Sequence, residues 1–384
     1  MKPKLRFKEF NSDWNTYKFY ELVTIKNGQV DPNDEQYRNL PHIGPGNIEK
    51  ETGRLLEYNL AKDDKLVSSK YLFDKESVIY GKINPHFAKV CYPKFVGLCS
   101  ADAYPINPIK DKLTSEFLLY LLLNPQFTKF ATSVSMRTGM PKINRDELSI
   151  YKFTIPEIAE QNKIGNMLTL LDKKIELQTK KIEDLKLFKK GLNYKIFSNC
   201  KYEYTLKDIL IEYNKRTKVN NEYEVLSSTA NGIYLQSEYF NKQAASNDTT
   251  GYKIIPRGYI TYRSMSDTGE FHFNVQNIVN YGIVSPAYPV FNIDETKVNK
   301  NYLIYYMNEN KNFINTILST KEGGTRFALS YSKLLSIKIK IPSREEQDQF
   351  ASLISDINKK IDLEQLKLDN INSLKKGLMQ NMFV

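Results

Sequence analysis

Residues 155–197 read IPEIAEQNKIGNMLTLLDKKIELQTKKIEDLKLFKKGLNYKIF, and residues 341–383 read IPSREEQDQFASLISDINKKIDLEQLKLDNINSLKKGLMQNMF. The two stretches align without a gap at an offset of 186 residues, and 14 of their 43 positions are identical. Agreement of this extent indicates an internal duplication, which is the sequence signature of an architecture built from repeated units. The chain is therefore predicted to consist of two related halves.

Both copies have the pattern of a long helix. Their apolar residues recur at alternating steps of four and three, the spacing of a heptad seam, and each helix of about 40 residues would extend roughly 60 Å. One seam position is polar in each copy, Gln178 and Glu364, and such a residue can specify register. Shared phase and length favour mutual pairing over two unrelated amphipathic helices on separate cores. The residues predicted to pair the helices are Ile164, Leu168, Leu171, Ile175, Ile182, Leu185, Phe350, Ile354, Ile357, Ile361, Leu368 and Ile371.

The ends of these helices are also visible in the sequence. Pro156 and Pro342 stand at the start of each helix, and Ser343 with Glu346 matches a capping box. The first helix is predicted to end near Phe197.

The residues before each helix form two globular halves that share anchors and otherwise diverge. A chain of 384 residues favours more than one domain, and short β-like runs such as Ser77–Tyr80 and Tyr259–Tyr262 alternate with turn residues. The fold class is therefore predicted to be α+β, with two pseudo-repeated domains and two long helices. The predicted segments are domain 1 at 1–146, a helix region at 147–199, domain 2 at 200–332 and a helix region at 333–384.

Two pairs of shorter segments correspond between the halves. Residues Glu116–Ser135 and Asn301–Thr320 each have the pattern of an amphipathic helix. Residues Trp14–Lys26 and Tyr202–Asn214 open their halves with a short helix-like pattern.

The charge of the chain indicates an acidic partner. The net charge is +11 and the pI is about 9.1, which is typical of proteins that bind nucleic acid, although a lysine-rich solvated surface gives the same balance. Arginine and lysine in turn-like segments are candidates because arginine reads guanine and lysine holds phosphate; each is also consistent with an ordinary surface charge. The candidate DNA-contacting residues are Lys82, Arg137, Lys142, Arg145, Lys215, Arg216, Lys218, Arg257, Arg263 and Arg326.

Enzymatic motifs are weak in this sequence, and no catalytic residue is predicted. There is no GxxxxGK[ST] loop for nucleotide phosphates. The run Asn84-Pro85-His86-Phe87 resembles the motif with which amino-methyltransferases hold a flipped base, but His86 replaces the expected second proline. An Asn-Pro turn is the simpler interpretation.

Cysteine and histidine spacing predicts neither a metal site nor a disulfide framework. The three cysteines contain no CxxC pair and the three histidines lie far apart, which fits a reducing cytoplasm. The longest purely apolar stretch, Phe117–Leu123, is too short to span a bilayer. A cytoplasmic protein is expected.

The order of variable half, repeated helix, variable half and repeated helix resembles the specificity subunit of type I restriction–modification systems. The motifs that carry the resemblance are Ile150–Gln161 (IYKFTIPEIAEQ) and Ser336–Gln347 (SIKIKIPSREEQ), each with an IP-x3-EQ junction. The resemblance covers essentially the whole chain. The second copy departs from the family pattern at Ser343–Glu345, where an apolar residue is common.

The resemblance implies a DNA-reading subunit that does not itself catalyse. Each half would be a target-recognition domain that reads one half of a split, asymmetric double-stranded DNA target, and the long helices would pair antiparallel as a coiled-coil spacer. Two methyltransferase subunits and two restriction subunits would complete the enzyme, and S-adenosylmethionine, ATP and Mg would bind only in those partners. The alternatives are a self-contained adenine methyltransferase that uses residues 84–87, and a coiled-coil scaffold without a DNA role.

Overall fold

The computed structural model describes residues 2–135, 139–198, 200–239, 248–319 and 327–384. The chain divides into two compact units. Unit 1 comprises Met1–Lys180 with Gln365–Val384, and unit 2 comprises Lys181–Glu364. This division cuts both long helices. The four segments expected from the sequence remain a prediction.

The described residues of unit 1 form three small sheets with the orders β2-β8-β5-β6, β3-β7-β4 and β1-β9. Its strands are β1 (Asn15–Lys18), β2 (Val23–Ile25), β3 (His42–Ile43), β4 (Tyr71–Phe73), β5 (Val78–Gly81), β6 (Val90–Cys91), β7 (Gly97–Cys99), β8 (Ala103–Pro108) and β9 (Lys152–Ile155). Its helices are α1 (Phe19–Leu22), α2 (Ser115–Leu123), α3 (Pro125–Ser135), α4 (Arg145–Ser149) and the first part of α5 (Ile158–Ser198).

Unit 2 repeats much of this plan, with sheets of order β11-β19-β15-β17, β13-β12-β18-β14, β10-β21 and β16-β20. Its strands are β10 (Tyr202–Thr205), β11 (Leu210–Glu212), β12 (Glu224–Thr229), β13 (Gly232–Leu235), β14 (Lys253–Pro256), β15 (Ile260–Thr261), β16 (Met265–Ser266), β17 (Asn274–Val275), β18 (Tyr281–Val284), β19 (Val290–Ile293), β20 (Phe327–Ala328) and β21 (Lys338–Ile341). Its helices are the second part of α5, α6 (Gln236–Tyr239), α7 (Lys300–Glu309), α8 (Lys311–Leu318), α9 (Tyr331–Ser336) and the first part of α10 (Arg344–Asn381). The mixed class and the two repeated domains agree with the prediction.

The repeated junction closes each unit in the same way. The strand before each long helix pairs antiparallel with the strand that opens the unit, with Asn15 opposite Ile155 in unit 1 and Tyr202 opposite Ile341 in unit 2. Antiparallel pairing at this point brings the two ends of each domain's chain together. The junction therefore anchors the long helix to the domain that precedes it.

The glutamine of the junction motif joins the helix start to the domain. The Gln161 amide donates to the Pro156 carbonyl at 2.8 Å and accepts from the Thr114 N–H at 3.1 Å. Gln347 does the same with Pro342 and Asn299, at 2.9 Å in each case. Thr114 and Asn299 are the N-caps of α2 and α7. This side chain satisfies buried backbone groups of two elements, which explains why both copies have glutamine here.

The seam residues are buried or half-buried throughout. Ile164 and Leu168 belong to the main core of unit 1, and Phe350 and Ile354 belong to that of unit 2. The start of each long helix thus packs on its own domain, and the mutual contacts of the other seam residues remain a prediction.

Pairs between the long helices show their direction. In unit 2, Lys181 Nζ lies 2.9 Å from Glu364 Oε1, and the rings of Phe197 and Phe350 are 6.1 Å apart. Residue numbers therefore increase along α5 while the numbers of their partners decrease along α10. This confirms the antiparallel arrangement of the two helices. Lys181 neutralises the buried Glu364 that the sequence placed in the seam.

Four local expectations were wrong, two in each unit. In unit 2, the helix-like segment Tyr202–Asn214 forms β10, a short 3-10 turn and β11, and the segment that begins at Asn301 forms α7 and α8 with a break at Asn310, whose backbone is extended. The two segments of unit 1 behave alike. The helix-like segment Trp14–Lys26 forms β1, a single helical turn and β2, because β1 pairs with β9 far along the chain. The segment 116–135 forms two helices with a break at Asn124, whose backbone is extended.

Candidate nucleic-acid interface

A basic cluster surrounds Tyr104 in unit 1 and contains three of the predicted contact residues. Lys82 Nζ lies 5.1 Å from the centre of the Tyr104 ring, and Arg145 Cζ lies 5.4 Å from it. Lys142 is exposed beside them, whereas Lys82 is only 8% exposed. Burial lowers the pKa of the Lys82 ammonium, and the neighbouring Lys142 cation lowers it further. Cations that repel one another are stabilised by a polyanion.

The backbone holds this cluster in place. Ile83 and Lys142 form an isolated antiparallel β-bridge. Beside it, the Ile143 N–H donates to the Lys82 carbonyl at 3.1 Å. The Arg145 guanidinium donates to the Lys26 carbonyl at 2.8 Å and also bonds the Asn27 side chain. Lys142 is thus the member best placed to reach a phosphate, while Arg145 holds the 25–27 segment. All three assignments as DNA contacts remain predictions.

A second lysine pair adjoins this cluster and was missed by sequence reasoning. Lys50 Nζ lies 3.8 Å from the centre of the Phe87 ring, and Lys89 Nζ donates to the Pro45 carbonyl. Burial lowers the pKa of Lys89, and the Lys50 cation contributes to the decrease. The sequence indicated only an Asn-Pro turn at residues 84–85. Lys50 lies in the connection between β3 and β4 and Phe87 in the connection between β5 and β6, so only the folded chain brings them together.

The corresponding place in unit 2 can be identified by its hydrogen bonds. The Leu329 N–H donates to the Ser264 carbonyl at 2.9 Å, as Ile143 does to Lys82 in unit 1. The adjacent Arg263 is exposed. It lies near Tyr288, because burial raises the pKa of that tyrosine and the Arg263 cation partly offsets the increase. Arg263 therefore lies beside a half-buried tyrosine, as the unit 1 cations lie beside Tyr104.

A second basic and aromatic group in unit 2 surrounds the small core formed by Leu226, Ile233, Ile255, Val284 and Val290. The rings of Tyr213 and Tyr259, both packed on that core, meet edge to face at 5.0 Å. Lys215 Nζ lies 5.8 Å from the centre of the Tyr213 ring. Burial lowers the pKa of Lys253, and the neighbouring Arg216 cation lowers it further. Tyrosines beside cations suit contact with sugars and phosphates. The sequence suggested Lys215 and Arg216 but not the tyrosine pair.

The remaining candidates have mixed surroundings. Arg257 donates to the carbonyls of Asn277 at 2.6 Å and Ile278 at 3.1 Å, so its guanidinium supports that loop. Lys218 is exposed, and its backbone N–H bonds the Glu222 carboxylate at 2.9 Å. Their roles as DNA contacts stay predictions. Arg137 and Arg326 lie outside the described residues.

The described residues contain neither a cluster of metal-binding side chains nor a helix suited to a membrane. Among them, no group of histidine, cysteine and acidic side chains is arranged to hold a metal ion. Within the same parts of the chain, none of the helices combines the length and apolar character needed to cross a membrane.

Comparison with known proteins points to one family. The family described as type I restriction modification DNA specificity domain matches twice, at residues 11–187 and 200–373. The chain is 35% identical over 153 residues to the type I restriction enzyme EcoDI specificity subunit of Escherichia coli, across 40% of this chain and 33% of that subunit. It is 22% identical to the putative type I restriction enzyme MjaX specificity subunit of Methanocaldococcus jannaschii, across 98% of this chain and 94% of that one.

Solved structures of proteins from type I restriction–modification systems share the fold. The S subunit of a type I restriction–modification system from M. genitalium matches with a TM-score of 0.62 at 16% identity, over 100% of this chain and 99% of that one. A chain from a study of complex assembly and conformational transition of the type I R-M system matches with a TM-score of 0.51 at 13% identity, over 97% of each chain.

Proposed function

The chain belongs to the type I restriction–modification DNA specificity family, and from that premise we propose that each unit reads one half of a bipartite, asymmetric DNA target. Subunits of this family recognise DNA sequence and are not themselves catalysts. The Asn84–Phe87 run is therefore not interpreted as a methyltransferase motif, and the coiled-coil scaffold without a DNA role is set aside.

One observation carries the proposal of two different half-sites. The same place in the two units, next to the Lys82 carbonyl and the Ser264 carbonyl, has a different chemistry in each. In unit 1 it is lined by Lys82, Lys142 and Arg145, and in unit 2 by Arg263. Two copies of one scaffold that differ at the reading surface would recognise different base sequences.

The proposal includes partners for the chemistry. A protein similar in fold comes from a study of type I complex assembly, and we assign to this chain two methyltransferase subunits and two restriction subunits. S-adenosylmethionine, ATP and Mg would bind in those partners. The role left to this chain is to hold duplex DNA in the correct position for them.

Exchange of one domain tests the proposal. Residues 1–146 are replaced by the matching segment of a family member with a different target, and the chimera is co-expressed with the methyltransferase subunit. Sequencing of the methylated adenines should show one half of the motif changed and the other half retained. A change in both halves, or no sequence-specific methylation by the wild-type complex, would contradict the proposal.

A further inference from the structure

The turn at residues 84–88 of unit 1 combines backbone strain with an exposed side chain. It follows β5 and brings Pro85 into the interior, while His86 at its tip is exposed. We propose that His86 is a specificity-determining residue, whose imidazole contacts a base edge in the half-site read by unit 1. The inference rests on the proposed function and adds the place where unit 1 reads sequence.

Two residues of this turn, and one residue of a segment that hydrogen-bonds to it, have left-handed backbone although they are not glycine. Their φ angles are 63° for Glu51, 51° for Asn84 and 41° for Ala88. Asparagine tolerates this region, but glutamate and alanine adopt it at a cost in free energy. Strain of this kind persists only where the surroundings enforce it, and it concentrates at ligand-binding sites.

The strain is enforced by one hydrogen bond within the turn and by hydrogen bonds with two other segments. The Asn84 N–H donates to the Pro141 carbonyl at 2.8 Å, and the Ala88 N–H donates to the Pro85 carbonyl at 2.9 Å. The Glu51 N–H donates to the Phe87 carbonyl at 3.2 Å, and α3 packs against the turn. His86 therefore projects from a rigid support, which a base-reading side chain requires.

The charge around the turn suits a duplex. Lys82 and Lys142 flank the turn at its Asn84 end. The β-bridge between Ile83 and Lys142 holds Lys142 there, next to Lys82. Lys50, exposed and stacked on Phe87, lies on the other side with Lys89. The His86 ring lies 4.0 Å from the Phe87 ring, so the imidazole is itself supported. Phosphate-binding cations on both flanks would bring the imidazole at the tip to the base edges between them.

The equivalent turn of unit 2 has a different composition. There β16 pairs with β20, in the place where Ile83 pairs with Lys142 in unit 1. The chain then turns through Asp267, Thr268 and Gly269. The Gly269 N–H donates to the Ser266 hydroxyl at 3.0 Å. By position, Thr268 takes the place of His86. An acidic, hydroxyl-rich turn and a histidine on an aromatic ring present different hydrogen-bonding groups to base edges.

The test uses the complex of the full chain with its methyltransferase subunits and reads the methylated motif by sequencing. The wild-type complex must first give a bipartite motif, since its failure would count against the proposed function. Given that motif, His86→Ala should relax one base position in one half, with discrimination there reduced about ten- to hundredfold. The variant His86→Thr, which carries the side chain found at this place in unit 2, should change the base preferred at the same position.

The control is His272→Ala, the same substitution at a partly exposed histidine of unit 2. It should leave the half-site that responds to His86 unchanged. The inference is overturned if His86→Ala preserves every base preference, or if it weakens methylation equally at all sequences, as loss of a phosphate contact would. An unchanged melting temperature shows that the fold is intact, as expected for an exposed side chain.

Discussion

Glu160→Gln should destabilise unit 1 far more than Glu346→Gln destabilises unit 2, although the two glutamates occupy the same position in the repeated motif. Glu160 is fully buried and accepts from Arg6 at 2.8 and 2.7 Å and from Trp14 Nε1 at 3.2 Å. Glu346 instead accepts from the Ser343 N–H at 2.9 Å as half of a capping box. Glutamine also serves in a capping box, but it cannot neutralise Arg6.

The magnitude follows from the burial of the pair. Breaking a buried ion pair costs about 3–5 kcal/mol, and the lower end applies because the Arg6 side chain keeps 12% exposure. We expect about 3 kcal/mol for Glu160→Gln and under about 1 kcal/mol for Glu346→Gln.

Hydrogen exchange measured by mass spectrometry resolves the two units in one experiment. The buried helix α2 reports on unit 1 and α7 reports on unit 2. A cost of about 3 kcal/mol corresponds to exchange more than a hundredfold faster in α2. Equal acceleration in both variants, or a larger effect from Glu346→Gln, would refute the reasoning.

Arg263→Ala should weaken binding to the specific duplex by about 1–3 kcal/mol if Arg263 contacts a base, or reduce the salt-dependence slope by about one if it contacts phosphate; fluorescence anisotropy across a salt series that shows neither change removes it from the interface. Asp172 and Lys375 form an ion pair between the two long helices in unit 1, so a double-mutant cycle with Asp172→Asn and Lys375→Ala should give a coupling energy of roughly 1 kcal/mol, and strictly additive effects on unfolding would show that the pair contributes nothing. For Asp74, burial alone would raise the pKa of the carboxyl group. Hydrogen bonds from Lys26, Asn107 and the Glu76 backbone outweigh this effect and lower the pKa to about 2. Its stabilising contribution is therefore present above pH 4 and lost as the pH falls from about 4 to 2; the melting temperatures of Asp74→Asn and wild type should differ at pH 7 and converge in acid, and a difference independent of pH would contradict this.

The long helices could be predicted closely because their signals are local. The first helix ends at Ser198, one residue past the predicted Phe197, and the second begins at Arg344 directly after its capping serine. A heptad repeat over some 40 residues and a capping box depend on neighbours in sequence, so periodicity is sufficient to identify them.

The domain interiors were less predictable because their elements depend on distant partners. Helix α2 is buried almost throughout, so it lacks the polar face that an amphipathic pattern assumes. The opening segment of unit 1 became a strand because β9, well over 100 residues later, is available to pair with it. Tertiary pairing overrides local propensity in such cases.

The candidate interface was anticipated in part. Lys82 and Arg145 lie over one tyrosine and Lys142 lies beside Lys82. Residue type and turn-like context suggested these residues only as separate charges. The contact of Lys50 with Phe87 could not be predicted from the sequence, because the two residues lie in separate loops that meet only in the folded chain. The left-handed backbone of Asn84 and Ala88 is likewise a property of the folded chain.

The most direct test of the account is a selection of DNA sequences by the full chain assembled with its methyltransferase subunits. A pool of duplexes randomised over about two helical turns, or roughly 20 base pairs, is bound at moderate salt, and the retained fraction is sequenced over several rounds. The account predicts enrichment of two short, different sequences separated by a constant number of unspecified bases. Retention of DNA without enrichment, or a single continuous motif, would contradict it.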